Sequence, residues 1–252
     1  MILIIVFIII VIIIIGRGIA YASSEITTSS KPSIEKLSLN LADHLNPPES
    51  KSTEGKYLFI DIETTGLPKN RNASPIEIEN WPRIVQIAWL LADAEGADIN
   101  SECFIIKQKK KIPVRTIVIH GITDEIAKSE GREITEILEL MKKCIDNSKY
   151  VIAHNISFDI PIIESEFIRA GYKMQFDGKF PICTMEEGKE FCCIPHTNGH
   201  GYKWPKLIEL YTELFYPGSI EYNIKGLHNA ATDVLMTRVC FLEMVKRRII
   251  NL

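Results

Sequence analysis

A large excess of either sign of charge is lacking in this chain of 252 residues: 29 lysines and arginines stand against 32 aspartates and glutamates, a net charge of −3. That balance does not announce a nucleic-acid binder, although a protein gripping only a few terminal nucleotides needs no more than a local basic patch. A disulfide framework is lacking too. The six cysteines do not form the framework of a small secreted scaffold, and a core of this length needs none. Standard zinc spacing is also absent. Cys183, Cys192, Cys193, His196 and His200 bring sulfur and nitrogen into one stretch, but adjacent cysteines are awkward ligands for one tetrahedron. Reduced thiols in a cytosolic domain are the simpler account. No internal repeat is present.

Residues 2–15 are wholly apolar and mostly isoleucine, with no charge before Arg17. As a helix that run would span about 21 Å, short of the roughly 30 Å hydrocarbon core unless it extends past Arg17 by snorkelling. Three readings stay open for residues 1–22. A secretory signal would be cleaved near Ala20-Tyr21-Ala22 but lacks a positive n-region, and a reading-frame extension would have no role. A membrane anchor is the expectation, with Arg17, Lys31 and Lys36 holding the following domain on the cytoplasmic side; a soluble cytoplasmic protein is the alternative. Residues 23–54, rich in Ser, Thr, Pro and charge, read as a polar linker. Residues 55–252 read as one domain by length.

Within that domain the pattern predicts strands at 57–63, 84–93, 100–107, 149–153 and 180–184. Helices are expected near 123–129, 133–146, 156–170, 204–215 and 229–248. Three early strands without intervening helices imply an antiparallel meander. A later strand reached through helices should lie parallel to the first.

Four carboxylates and one histidine stand out against this background. Asp61 and Glu63 follow the apolar run Tyr57-Leu58-Phe59-Ile60, so at i and i+2 on one strand they point to the same face. Like charges that close repel each other unless a cation lies between them, which suggests a divalent metal. Asp159 falls near the start of a helix that follows the strand Lys149–Ala153. His228 and Asp233 stand at and just inside the start of the last helix, whose apolar positions recur at helical spacing. Singly, each residue has an ordinary alternative as a strand end, a helix N-terminal acid or a loop residue. Jointly they call for one site.

The strings Phe59-Ile60-Asp61-Ile62-Glu63-Thr64-Thr65-Gly66-Leu67-Pro68, His154-Asn155-Ile156-Ser157-Phe158-Asp159 and His228-x4-Asp233 resemble the three motifs of the DEDDh 3′ to 5′ exonucleases. That family includes the proofreading epsilon subunit of bacterial DNA polymerase III, ribonuclease T and oligoribonuclease. The resemblance covers about residues 55 to 248, with Arg83–Ala88 and Ile119–Thr123 as supporting segments. It implies an α/β fold of ribonuclease H-like type, a mixed five-stranded sheet flanked by helices, here preceded by an N-terminal hydrophobic helix and linker. It implies two Mg²⁺ or Mn²⁺ ions, with Asp61, Glu63 and Asp233 holding the ion that activates water. Asp61 would bridge to the second ion and Asp159 would support it. His228 becomes the general base, its unperturbed pKa of about 6.5 lying near working pH. Tyr222 stands too far from Asp233 to mark the sister branch that uses tyrosine.

Thr64, Thr65 and Gly66 are expected to seat the 3′-terminal nucleotide, and Asn155 and Phe158 to line its pocket, with Phe158 equally suited to the core. His120 reads as a structural histidine in a loop ahead of a helix capped by Thr123. Lys107, Lys109, Lys110 and Lys111 with Arg115, and Lys203 and Lys206 around Trp204, are candidate backbone contacts, though a solvated loop is the preferred account of the first group. The expectation is a metal-dependent exonuclease releasing nucleoside 5′-monophosphates from single-stranded 3′ ends, DNA foremost, in proofreading or repair. RNA trimming, oligoribonucleotide degradation and a non-catalytic nucleic-acid-binding module of the same fold are the alternatives. A DNA polymerase or repair complex, and a membrane reached through residues 2–15, are the candidate partners.

Overall fold

The computed structural model describes residues 49–218 and 229–252, together with two short strands near the N-terminus. The chain divides into two compact units, Met1–Pro32 and Ser33–Leu252. In the first, Ile13–Ile14 pairs antiparallel with Ile19–Ala20. The expected N-terminal hydrophobic helix is corrected there, because isoleucine, branched at Cβ, favours extended backbone. Among the described residues no helix is long and apolar enough to cross a membrane, so the anchor and the membrane partner are not carried further. The remainder of residues 2–15 and most of the linker lie outside the described residues.

In the second unit, five strands form one mixed sheet. They are β1 (Tyr57–Thr64), β2 (Ile84–Ala92), β3 (Asp98–Ile105), β4 (Tyr150–Ala153) and β5 (Phe180–Cys183), in the order β3-β2-β1-β4-β5. β1, β2 and β3 make the antiparallel meander, whereas β4 lies parallel to β1 and β5 parallel to β4. The α/β architecture of ribonuclease H-like type follows as expected. A sheet covered on both faces explains why β2 is buried at every residue.

Alternation along β1 decides which layer meets which side chain. Leu58, Ile60 and Ile62 enter a core with α3 (Ile134–Asp146) and α4 (Ile156–Arg169). Tyr57 and Phe59 point the other way, into a core with α7 (Leu207–Phe215) and α8 (Ala230–Lys246). Phe241 of α8 makes edge-on contacts with both, at 5.1 Å from Tyr57 and 5.4 Å from Phe59 between ring centres. Asp61 and Glu63 continue the odd-numbered face, so the helix that covers the aromatic rings also overlies the two carboxylates.

Two further bonds set how α8 enters. Asn229 caps it by accepting from the Ala231 N–H, and the Ala230 N–H donates to Gln86 Oε1 at 3.0 Å. Gln86 is the β2 residue directly opposite Glu63. On the other layer, Glu166 of α4 is only 1% exposed and accepts from Arg83 Nε at 2.7 Å and Arg169 Nη1 at 3.0 Å. Arg169 also donates to the carbonyls of Trp81 and Ile78, tying the loop between β1 and β2 to α4.

Some short helices were not foreseen. Val114–His120 is a helix, α1, ending at Gly121 with a positive φ of 75°, so His120 closes a helix and does not lie in a loop. α2 (Asp124–Ser129) is capped by Thr123 as the sequence predicts. After β5 come two single-turn helices, α5 (Thr184–Glu187) and α6 (Lys189–Cys192).

Truncating Phe241 to alanine should cost about 3–5 kcal/mol, the usual loss for a buried phenylalanine, because both β1 rings lose their edge-on contact with α8. Denaturant unfolding measures this; a loss under about 1 kcal/mol would mean that α8 is held by other contacts.

Candidate active site

The acidic residues converge where β1 ends. Asp61, Glu63 and Asp233 each offer a carboxylate oxygen, and these oxygens all lie within 4.8 Å of one another. Asp61 and Glu63 arrive from the odd face of β1, and Asp233 from the first turn of α8. Asp159, in the first turn of α4, is 3% exposed and comes from the opposite layer; the backbone of Ile62 hydrogen-bonds to it.

Electrostatics in the cluster run against ionisation. Burial, reinforced by the charges of Asp233, Asp159 and Glu63, holds the Asp61 carboxyl well above the usual carboxylate range. Burial and then Asp233 push Glu63 up to about 8. Burial raises Asp159 as well, with Glu63 and Asp233 adding to it against opposing backbone hydrogen bonds. A divalent cation reverses this, because its charge favours the ionised form of each neighbour. Half-buried carboxylate oxygens at this spacing are a donor set that suits a hard divalent cation.

Around the cluster the backbone is tightly specified. A register shift between Glu63 and Thr64 precedes the last pair of the ladder with β2, Thr64 with Ile84. Thr64 is buried, and its hydroxyl donates to the Gly66 carbonyl at 2.7 Å, closing the turn. Thr65 exchanges two bonds with Arg83: its N–H donates to the Arg83 carbonyl and its Oγ1 accepts from the Arg83 N–H. The turn is thereby connected through Arg83 to Glu166. A Cβ on Gly66 would lie 3.4 Å from the Arg115 guanidinium, so α1 brings one arginine onto the turn.

On the β4 side, Asn155 adopts a left-handed conformation (φ 83°, ψ 49°) as the residue before α4, and its side-chain oxygen accepts from Ser157 Oγ. Phe158 is half-buried and packs against the α3/α4 core, so its ring serves that layer. His228, the expected base, lies outside the described residues.

His154 is a residue whose role the sequence did not disclose. Its Nε2 bonds the Pro205 carbonyl at 3.0 Å, which makes Nε2 the protonated nitrogen, and Nδ1 then accepts from the Thr184 hydroxyl at 3.0 Å. Burial pulls its pKa down to about 4, so the ring is neutral near pH 7. A histidine following a buried strand was the signal available, but its partners stand 30 and 51 residues away.

Other candidates divide. His120 is a structural residue: its Nδ1 accepts from the Ile122 N–H, and burial lowers its pKa. Lys107 pairs with Glu133 at 3.5 Å, and Lys109, Lys110 and Lys111 are exposed. Lys203 is bound to Glu209 at 2.6 Å. All six cysteines are unpaired, and among the described residues Cys183, Cys192, Cys193, His196 and His200 do not gather as a metal-binding group.

A family model described as Exonuclease matches residues 58–191, more than half of the chain. The 3′-5′ exonuclease DinG of Bacillus subtilis is 26% identical over 193 residues, 76% of this chain and 18% of that protein. A PolC-type DNA polymerase III of Mycoplasma genitalium is 29% identical over 142 residues, 54% of this chain and 9% of that protein. The chain thus spans less than a fifth of the length of these curated relatives. E. coli exonuclease I, solved in complex with a dA16 oligonucleotide, shares the fold with a TM-score of 0.58 at 20% identity, over 77% of this chain and 41% of its own. With the family segment, the sheet order and the acidic cluster in agreement, the chain belongs to the exonuclease family, in its DEDDh 3′ to 5′ branch.

Proposed function

We propose that this chain is a metal-dependent 3′ to 5′ exonuclease that releases nucleoside 5′-monophosphates from single-stranded DNA ends, with residues 55–252 as its catalytic domain. The observation that carries the reading is the meeting of Asp61, Glu63 and Asp233 within 4.8 Å at the end of β1. DNA is favoured over RNA by the company the chain keeps: a PolC-type DNA polymerase and an exonuclease solved with an oligodeoxynucleotide. A DNA polymerase or repair complex is the matching partner.

Asp61, Glu63 and Asp233 would hold the divalent ions, with Asp159 supporting them from α4. Such ions, Mg²⁺ or Mn²⁺, supply an activated water and offset charge on the phosphoryl oxygens. The protein's own residues do the rest. The turn at Thr64, Thr65 and Gly66, pinned by Arg83, gives the terminal nucleotide a fixed seat with no side chain at Gly66 to block it. Arg115, whose guanidinium lies beside Gly66, would meet a phosphate oxygen of the bound strand. Asn155 lines the β4 side. His228 takes the proton from the attacking water, a role that an imidazole fills in general base catalysis.

Asp61→Asn should reduce mononucleotide release to background while the melting temperature holds, and His228→Ala should lower turnover by about 10²- to 10⁴-fold. The assay uses 5′-labelled single-stranded DNA, duplex DNA and RNA in parallel; release by Asp61→Asn at the unsubstituted rate would overturn the ligand assignment, and faster release from RNA would overturn the substrate.

Stability gives an independent reading of the same site. Because the carboxylates repel one another without a cation, Asp233→Asn should raise the melting temperature in chelator and abolish the rise that Mn²⁺ gives the unsubstituted protein. An unchanged Mn²⁺ response in the variant would remove Asp233 from the site.

A further inference from the structure

Three tryptophans occur in the chain, and two of them behave as core residues. Trp81 is 4% exposed and donates its indole N–H to the Ser74 carbonyl; Trp89 is 1% exposed and donates to Asn100 Oδ1. Trp204 is 58% exposed. An indole left in water forgoes the burial that makes this the largest apolar side chain. Exposure alone would be ordinary for a residue on a loose loop.

The backbone at Trp204 is anything but loose. On its N-terminal side, Pro195 pairs with Tyr202, and the Lys203 N–H donates to the Ile194 carbonyl at 2.9 Å. Lys203 Nζ reaches Glu209 at 2.6 Å, and the Lys206 N–H donates to the same carboxylate at 2.7 Å. Pro205 is buried, and its carbonyl is the acceptor of His154 Nε2. The fold therefore immobilises a main-chain segment and leaves its largest side chain in solvent.

Its location gives that arrangement meaning. In the parallel ladder Phe59 pairs with Ile152, so Asp61 lies two residues further along β1 and His154 two residues on, just past the end of β4. Adjacent strands run about 4.8 Å apart. Trp204 is thus fastened, through Pro205 and His154, to the strand end next to the acidic cluster. The Thr64–Gly66 turn lies on the β1 side of that cluster and Trp204 on the β4 side. Lys206, exposed two residues on, adds a cation along the same edge.

We propose that Trp204 is a stacking platform for a base of the single strand whose 3′ end occupies the acidic cluster, one or more nucleotides upstream of the terminal one. The inference rests on the exonuclease reading and adds a residue that binds the strand without touching the reacting phosphate. Every base has a π-face, so the contact holds a strand without choosing its sequence.

The test uses the full chain with Ca²⁺ in place of Mg²⁺ or Mn²⁺ for binding, and a short fluorescein-labelled oligo(dT) as probe. Trp204→Ala should weaken binding about 5- to 100-fold, Trp204→Phe should restore most of it, and the quenching of tryptophan emission by unlabelled oligo(dT) should disappear in both. Hydrolysis of thymidine 5′-(p-nitrophenyl phosphate), which has no upstream base, should be unchanged in both variants. Binding by Trp204→Ala within about twofold of the unsubstituted protein overturns the platform, as does an equal loss on the nitrophenyl ester. If the unsubstituted protein neither binds the oligonucleotide nor cleaves the ester, the exonuclease reading falls first and the platform with it.

Discussion

Holding Asp61, Glu63 and Asp233 within 4.8 Å of one another costs free energy, because burial and mutual repulsion both oppose their ionised forms. No local preference would gather them, so the surrounding structure has to. Tyr57 and Phe59 interlock with Phe241, which fixes α8 over the odd-numbered face of β1. Gln86 then sets the depth of α8 by binding the N–H of its first residue. On the far side, Arg83 and Glu166 hold the turn that closes the strand. Apolar packing here serves as the frame for an electrostatically unfavourable arrangement, which is what a cation site demands of a protein.

Much of this was legible in the sequence, and the reasons are local. β1 announces itself by an apolar run, and period-two alternation puts Asp61 and Glu63 on one face whatever the tertiary structure. Thr123 before Asp124 and Glu125 is a helix start in any context, and it caps α2. The extended chain between β5 and α7 was harder. Its two single-turn helices have no room for a periodic signal, and His154 and Pro205, whose bond anchors it, are far apart in the chain. α1 escaped because Val114, Val118 and Ile119 face solvent, so its apolar residues do not mark a buried stripe. The N-terminal run misled for the opposite reason. Length and hydropathy suggested a membrane helix, while the β-branched side chains that supply the hydropathy also favour the extended pairing found at Ile13–Ile14 and Ile19–Ala20.

The two sides of the site are built by different means. On the β1 side, short-range bonds within Thr64–Gly66 and to Arg83 make a compact turn. On the β4 side, a neutral histidine reaches over to a segment from much later in the chain. The first is a feature that motif reading captures. The second depends on one long-range bond between residues 51 apart, which no local motif records.

The acidic residues enter the site from three separate stretches of chain, β1, α4 and α8, about 170 residues apart from first to last. During synthesis the segment bearing Asp61 and Glu63 emerges long before the one bearing Asp233, and the unfolded chain carries only scattered carboxylates with little affinity for a divalent ion. Here the stretches meet only when α8 has packed across β1, so the cluster is a property of the folded domain and of none of its segments alone.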